Sequence, residues 1–359
     1  MASGTPRQAS LTRLWNRVYR TVGTGYVGYI LRRLGAFVPL VIGISIVTFF
    51  LVRMLPGDPA RILAGSQQFP HVVEALRERM GLDKSIPVQY FIYVKNVVNG
   101  DLGVSWFTGK PVLDDMVRRV PATLELITYG LLTAMFIGFF LGLVGARKPG
   151  GPVDRVAQLY GFLAGGIPDF WLALLIIFFL FHRFHVIPPP MARFPISLTP
   201  PPTVTGFLTI DSLLAGNLEA FRGAVSQLVG PVLTLGVLFG GPIAKLTRQS
   251  MLDILQGDYV HYARACGLRE RTVARYAFQS ILPPVVTLIG FLYAFLIGGA
   301  VLVETVFSWN GVGQYSVQSI VNKDYAPVQA FVLMAGVFSL SVYLMLDILY
   351  MLVDPRVRL

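Results

Sequence analysis

LITYGLLTAMFIGFFLGLVGA, residues Leu126 to Ala146, runs for 21 residues without a charge. A helix rises about 1.5 Å per residue, so a run of about 20 apolar residues matches the hydrocarbon thickness of a bilayer. The run is continuous and does not alternate, which fits a helix and not a barrel strand. Five further stretches share this character. Leu34 to Val52 has 19 residues without a charge, and Val156 to Phe181 has 26 interrupted only by Asp169. Gly223 to Ala244 has 22, Tyr276 to Val303 has 28 (part of which must lie outside the core), and Tyr325 to Leu346 has 22. The sequence therefore predicts an all-α membrane protein with six transmembrane helices.

Composition agrees. Of 359 residues, 54% are hydrophobic and 14% charged, against about 25% charged in soluble domains. A single cysteine, Cys266, excludes a disulfide scaffold. The net charge of +11 does not point to nucleic acid, because the basic residues flank the apolar runs and form no patch. The N-terminal arm, the second-to-third and fourth-to-fifth connections and the tail together hold 17 basic and 5 acidic residues. The opposite side holds 13 and 10. The positive-inside rule then places both termini in the cytoplasm of a bacterial inner (plasma) membrane protein. No small-x-small cleavage site follows the first apolar run before Arg53, so it reads as a retained span.

This divides the chain into a cytoplasmic extension (1–28), a first span (29–54), a periplasmic segment (55–120) and a core of five spans (121–359). The 55–120 segment opens on Leu55-Pro56-Gly57-Asp58-Pro59, a turn that stops the first helix. It continues through a short helix at Glu74 to Met80 and a turn at Gly100-Asp101-Leu102-Gly103. It is either a plain cap or a surface that receives a partner. The connection from Arg183 to Arg222 holds seven prolines between Pro188 and Pro202, which excludes regular helix there. In the third connection, Phe307 to Pro327, Trp309-Asn310-Gly311-Val312-Gly313 predicts a turn or a re-entrant element.

Catalytic and metal chemistry find no support. His182 and His185 lack a carboxylate or cysteine beside them, and His71 and His261 stand apart. Gly109-Lys110 is followed by proline, so no phosphate-cradling loop exists there. The chain is expected to be no enzyme and to carry no cofactor or metal.

The most specific region lies at 250–280. Its centre reads Asp258-Tyr259-Val260-His261-Tyr262-Ala263-Arg264-Ala265-Cys266-Gly267-Leu268. Asp258 suits an N-cap and Gly267 a left-handed C-terminal cap, bracketing a helix of about two turns. Tyr259, Val260 and Ala263 would share its exposed face with Arg264. A helix so short is marginal alone. It is either a solvated loop or a peg held by its flanks and pressed into a partner's groove.

Tyr262-Ala263-Arg264-Ala265-Cys266-Gly267-Leu268 resembles the coupling loop of ABC importer permeases of the dipeptide/oligopeptide/nickel family. The Ile281-Leu282-Pro283-Pro284-Val285-Val286-Thr287 stretch, Gly81-Leu82-Asp83, Val303-Glu304-Thr305-Val306-Phe307-Ser308-Trp309 and Asp354-Pro355-Arg356-Val357-Arg358 resemble the family in the same order. Where that motif carries Glu-Ala-Ala, this chain has His261, Tyr262 and Ala263. The resemblance implies the type I importer fold and a homologous second permease subunit. It also implies two ATPase subunits or domains that bind ATP and Mg, and an extracytoplasmic substrate-binding protein. Gly206-Phe207-Leu208-Thr209-Ile210-Asp211 is similar to the dipeptide branch; nickel complexes, glutathione and oligosaccharides are the family's other cargoes.

Within the spans, Asp169 follows Gly165-Gly166-Ile167-Pro168, a helix-breaking run, and stands 13 residues past Val156. That is about 20 Å along a straight helix, near the midplane. It either lines a translocation path and meets a peptide's ammonium group, or accepts hydrogen bonds from backbone freed by Pro168. Glu304 and Trp309 are either an external gate or, for the carboxylate, an anchor for loop N–H groups. Glu125 and Asp347 read as structural. An ion-coupled carrier working alone is the competing class; it would need an inverted repeat, which the sequence lacks, and leaves 250–280 without a role.

Overall fold

The computed structural model describes residues 26–54, 59–64, 69–79 and 81–353. The 1–28 extension (apart from its last three residues), most of the Leu55–Pro59 turn and the Asp354–Arg358 end lie outside them. Among the described residues there are helices and no strands, with a single isolated bridge between Val104 and Pro111. Chain order gives α1 (Tyr26–Met54), α2 (Pro59–Ala64), α3 (Pro70–Arg79), α4 (Ile86–Val98), α5 (Val112–Arg147), α6 (Pro152–Ala164) and α7 (Asp169–Ile176). A π-helical turn, Ile177–Arg183, extends α7. There follow α8 (Leu208–Leu214), α9 (Leu218–Leu255), α10 (Asp258–Ala265), α11 (Glu270–Gly299), α12 (Val301–Val306), α13 (Val312–Val321) and α14 (Tyr325–Val353).

Among the described residues, five helices, α1, α5, α9, α11 and α14, are long and apolar enough to cross a bilayer. The sixth predicted span is bent: Pro152–Ala164 and Asp169–Arg183 meet at 113° across the Gly165–Pro168 break. The break lies where the sequence puts it, but the straight 20 Å path to Asp169 does not exist. The chain turns instead of continuing.

The centre of the bundle is the pair α5 and α9. Small residues recur every four positions on both: Gly130, Ala134, Gly138 and Gly142 on α5, and Gly236, Gly240 and Ala244 on α9. In lipid, helices gain little from excluding apolar surface and associate through close packing, which small residues permit. A Cβ at Gly138 would lie 2.6 Å from Ile243 Cβ and 2.9 Å from the Gly240 carbonyl oxygen. A Cβ at Gly142 would lie 2.7 Å from Thr247 Cβ, and one at Gly236 would lie 2.5 Å from the Thr133 methyl. Only hydrogen fits. Tyr160 of α6 crosses this seam and donates its hydroxyl to the Val237 carbonyl at 2.6 Å.

The 55–120 segment holds more helix than expected. Besides α3 at the predicted place there is α4, which lies against α1. Tyr90 Oη is 2.7 Å from Ser45 Oγ, and the Tyr90 and Phe49 rings meet edge-on at 5.3 Å. Arg53 donates to Gln89 Oε1 and sits over Phe49. At the other end of α1, Arg33 pairs with Asp347 of α14 at 2.6 Å. The Gly100–Gly103 turn is present, with both glycines at positive φ. The proline-rich stretch is without helix up to α8, as its composition demands.

Candidate functional site

The 250–280 connection folds as a two-turn helix between two long ones. The C-terminal cap of α10 is complete: Gly267 has φ +77°, its N–H bonds the Arg264 carbonyl at 2.9 Å, and the Leu268 N–H bonds the Ala263 carbonyl at 3.2 Å. That pair of bonds is the Schellman arrangement, which glycine adopts without a Cβ penalty. At the other end the N-cap is Gly257 and not Asp258. Asp258 is the first helical residue, where its charge meets the positive end of the helix dipole.

The exposed face also needs correction. Val260 is 2% exposed and anchors the helix, and Ala263 is half-buried. Solvent meets Tyr259, His261, Tyr262, Arg264, Ala265, Cys266, Gly267 and Leu268, with Tyr262 73% exposed. Arg264 ties the peg to α11 through both carboxylate oxygens of Glu270, at 2.8 and 3.3 Å. An isolated eight-residue helix would fray; caps, a buried valine and this ion pair hold it.

Asp169 opens α7, where its Oδ1 accepts from the Phe170 N–H at 2.8 Å. It is half-buried and faces a groove of about 350 Å³ between α6, α7, α9 and α11. Leu238, Phe239, Phe291, Leu292 and Phe295 line that groove, and Asp169 is its only ionisable residue.

Glu304 and Trp309 stand at the opposite end from the peg. Glu304 is fully buried on α12; it accepts from Thr123 Oγ1 at 2.5 Å and from the Gln314 N–H at 2.9 Å. The Thr123 hydroxyl oxygen in turn accepts from the Val312 N–H at 2.9 Å. The carboxylate therefore caps α13 and joins it to α5. Trp309 is 1% exposed and donates its indole N–H to the Ala122 carbonyl at 2.9 Å. The predicted turn sits here, with Ser308 and Asn310 at positive φ, and it leads into the buried helix α13. Together the two residues fasten α12, the 308–311 turn and α13 to α5.

Three contacts escaped the sequence reading. Asp154 of α6 is buried and accepts both guanidinium arms of Arg248 on α9, with Gly150 N–H and Gln158 as further donors. Glu125 holds Arg193 with one oxygen and the Thr209 N–H and hydroxyl with the other, which pins the proline-rich connection to α5. Asp324 accepts from Ser105 at 2.5 Å, docking the 100–111 turn. Partners 68 to 219 residues apart leave no local signal. The small-residue seam did leave one, a four-residue recurrence.

A many-spanned helical bundle with an exposed, separately capped peg at one end and a single carboxylate in an apolar groove is built as a membrane transport component. A family model for the binding-protein-dependent transport system inner membrane component matches residues 134–359, and the N-terminal model of the same component matches 26–127. The chain belongs to this family, and it is a multi-pass protein of the bacterial inner membrane. It is 38% identical over 327 residues to "Probable D,D-dipeptide transport system permease protein DdpB" of Escherichia coli strain K12, covering 91% of this chain and 96% of that one. It is 36% identical over 333 residues to the dipeptide transport system permease protein DppB of the same strain, covering 92% and 98%. To the glutathione transport system permease protein GsiC of Pectobacterium atrosepticum it is 32% identical over 333 residues, covering 92% and 99%.

Proposed function

We propose that this chain is the pore-forming permease subunit of an ATP-driven importer that moves di- and oligopeptides into the cytoplasm. The relatives named for dipeptide transport support the substrate class. The observation that carries the mechanism is the exposed peg α10, rigidly capped and anchored by Val260. With the basic excess at its end of the bundle, the peg faces the cytoplasm, where one of two ATPase subunits or domains grips it. ATP and Mg belong to those subunits. A homologous second permease completes the pore within membrane lipid, and an extracytoplasmic binding protein delivers cargo to the opposite end.

Closure of the ATPases on ATP draws the two pegs together. Helices α9 and α11 carry that motion, and the Asp154–Arg248 bridge brings α6 with them. The bundle rocks from inward-open to outward-open, a two-state equilibrium biased from both sides of the membrane. During the outward-open phase the Glu304–Thr123 bolt is the part that must yield, and Asp169 meets the ammonium group of the passing peptide.

Replacing Gly267 by Val strains the cap, and replacing Ala263 by Asp puts a charge beside the anchor. Both variants should insert in the membrane yet hydrolyse ATP without importing peptide. Normal import by both would refute the docking role. Likewise, uptake unchanged in Asp169→Asn and Asp169→Leu would remove that carboxylate from the path. Co-purification separates this reading from a lone ion-coupled carrier: an ATPase held in detergent supports the importer, and an active single chain refutes it.

A further inference from the structure

At the end of the bundle away from the peg, the first turns of α5, the proline-rich connection and the 308–314 turn enclose a basin of about 610 Å³. That lies within the range of small-molecule sites, about 300–1,000 Å³. Four cations line it, Lys110, Arg118, Arg119 and Arg193, against one carboxylate, Asp115. Asp115 is buried, and one of its oxygens accepts from both Thr108 Oγ1 at 2.6 Å and the Tyr315 hydroxyl at 3.1 Å. Glu125 neutralises Arg193 from behind. Even with both carboxylates counted, positive charge is in excess.

Two of the four head groups are fixed by internal partners. Arg193 is held by Glu125 and by the Gly206 carbonyl at 2.6 Å. Arg119 bonds the Asn310 side-chain oxygen, and its guanidinium lies 4.7 Å from the centre of the Tyr315 ring. Groups already in place lose little freedom when a ligand arrives. Arg118 and Lys110 are exposed at the rim and form no ion pair with a described residue. Met191 and Phe194 give the rim an apolar side.

The sequence makes this convergence unusual. The side of the chain to which the basin belongs is close to charge balance, 13 basic to 10 acidic residues, yet four of its cations meet in one hollow. Like charges placed together repel unless an anion visits. The hollow is concave and small, which suits a compact anion better than an acidic face of a protein.

We propose that this basin receives the free α-carboxylate of the incoming peptide. Arg119 and Arg193 form its fixed floor, Arg118 and Lys110 close on the carboxylate from the rim, and the last side chain rests on Met191 and Phe194. The inference rests on the peptide-import reading above and adds to it a subsite at the mouth.

The test uses the whole importer in proteoliposomes, with its binding protein saturated by a tripeptide or by the same tripeptide as its C-terminal amide. In the double variant Arg118→Gln/Lys110→Gln, free-acid uptake should fall about tenfold or more, the scale of one charge-assisted hydrogen bond. Its advantage over the amide should shrink toward unity, and Arg118→Lys alone should retain most of it. The concentration of loaded binding protein that half-maximally stimulates the ATPase should not move. A rise in that concentration with undiminished maximal uptake would overturn the subsite and make the basin a docking surface for an acidic protein. Unchanged uptake and unchanged acid-to-amide preference would overturn it outright. If the wild-type importer moved no peptide at all, the peptide reading itself would fall, and the subsite with it.

Discussion

The two ends of this bundle are constructed on opposite plans. At the mouth, five carboxylates among the described residues are buried, Asp115, Glu125, Asp211, Glu304 and Asp324; four accept from donors on distant segments, and Asp211 accepts from Thr205 and Gly206 just before its own helix. At the peg end, one buried carboxylate, Asp154, does the clamping, and α10 keeps a single buried residue, Val260. Buried, fully bonded carboxylates fix geometry, because any movement leaves polar groups unpartnered in a medium that cannot solvate them. An exposed peg with aromatic side chains offers a grip and constrains nothing by itself. On the import mechanism proposed above, the contrast separates where force would enter, at the peg, from where resistance would lie, at the mouth.

The hardest blow to that contrast falls on the peg end's one clamp. Arg248→Met leaves Asp154 buried without its cation, and breaking such a pair costs about 3–5 kcal/mol. The unfolding midpoint in detergent should drop sharply, with Arg248→Lys recovering part of the loss. A variant as stable as wild type would show that side-chain packing and the Tyr160–Val237 hydrogen bond join α6 to α9 without help from the ion pair.

The mouth comes next. Glu304→Ala removes the acceptor for Thr123 and the Gln314 N–H, two buried donors worth together about 3 kcal/mol. Stability should fall by less than for Arg248→Met, and the basal ATPase rate of the assembled importer should rise, because the bolt no longer opposes opening. Lower stability with an unaltered ATPase rate would mean that Glu304 holds the mouth together without restraining its opening.

The same contrast decides what the sequence could reveal. Spans are legible because length and apolarity are local properties: four of the six predicted stretches lie within single helices, Tyr276–Val303 runs from α11 into α12, and Val156–Phe181 is broken at Gly165–Pro168. Direction is not local: Gly165-Gly166-Ile167-Pro168 announces a break but not a bend of 113°. Gly267 was legible as a cap because positive φ is a backbone demand that few residues meet. Val260 was not, since the buried face of a two-turn helix depends on neighbours outside it. Helix α4 escaped because it is too short to span and owes its place to Phe49 and Ser45 of α1. Apart from Asp211, held by its near neighbours Thr205 and Gly206, the carboxylates of the mouth find partners across the fold, so their types could be read and their roles could not.

A gentler probe sharpens the peg side. Gly267→Val forces a β-branched residue to φ +77°, at a local cost of about 1–3 kcal/mol. Because α10 is exposed and contributes one buried residue, that cost should unwind the peg and leave the bundle's midpoint nearly unchanged. Limited proteolysis near Arg264 and Arg269 should then accelerate. An equal fall in the global midpoint would show that the peg is part of the rigid body it was contrasted with.

The smallest effect belongs to Asp211, on α8 at the mouth. Burial pulls its carboxyl upward, but bonds from the Thr205 N–H at 2.8 Å, the Thr205 hydroxyl at 2.7 Å and the Gly206 N–H at 2.9 Å outweigh it and leave the group below the usual carboxylate range. A folded-state pKa below the unfolded one stabilises fully above the unfolded value, about 3.9, and that contribution drains away as acid titrates through the folded value. Asp211→Asn keeps an acceptor for Thr205 but loses the charge. Its deficit in unfolding midpoint should therefore be constant from neutral pH down to about 4 and narrow below that. A deficit that stayed constant in stronger acid would assign the contribution of Asp211 to shape alone, and the rule that charge fixes the mouth would then rest on its other four carboxylates.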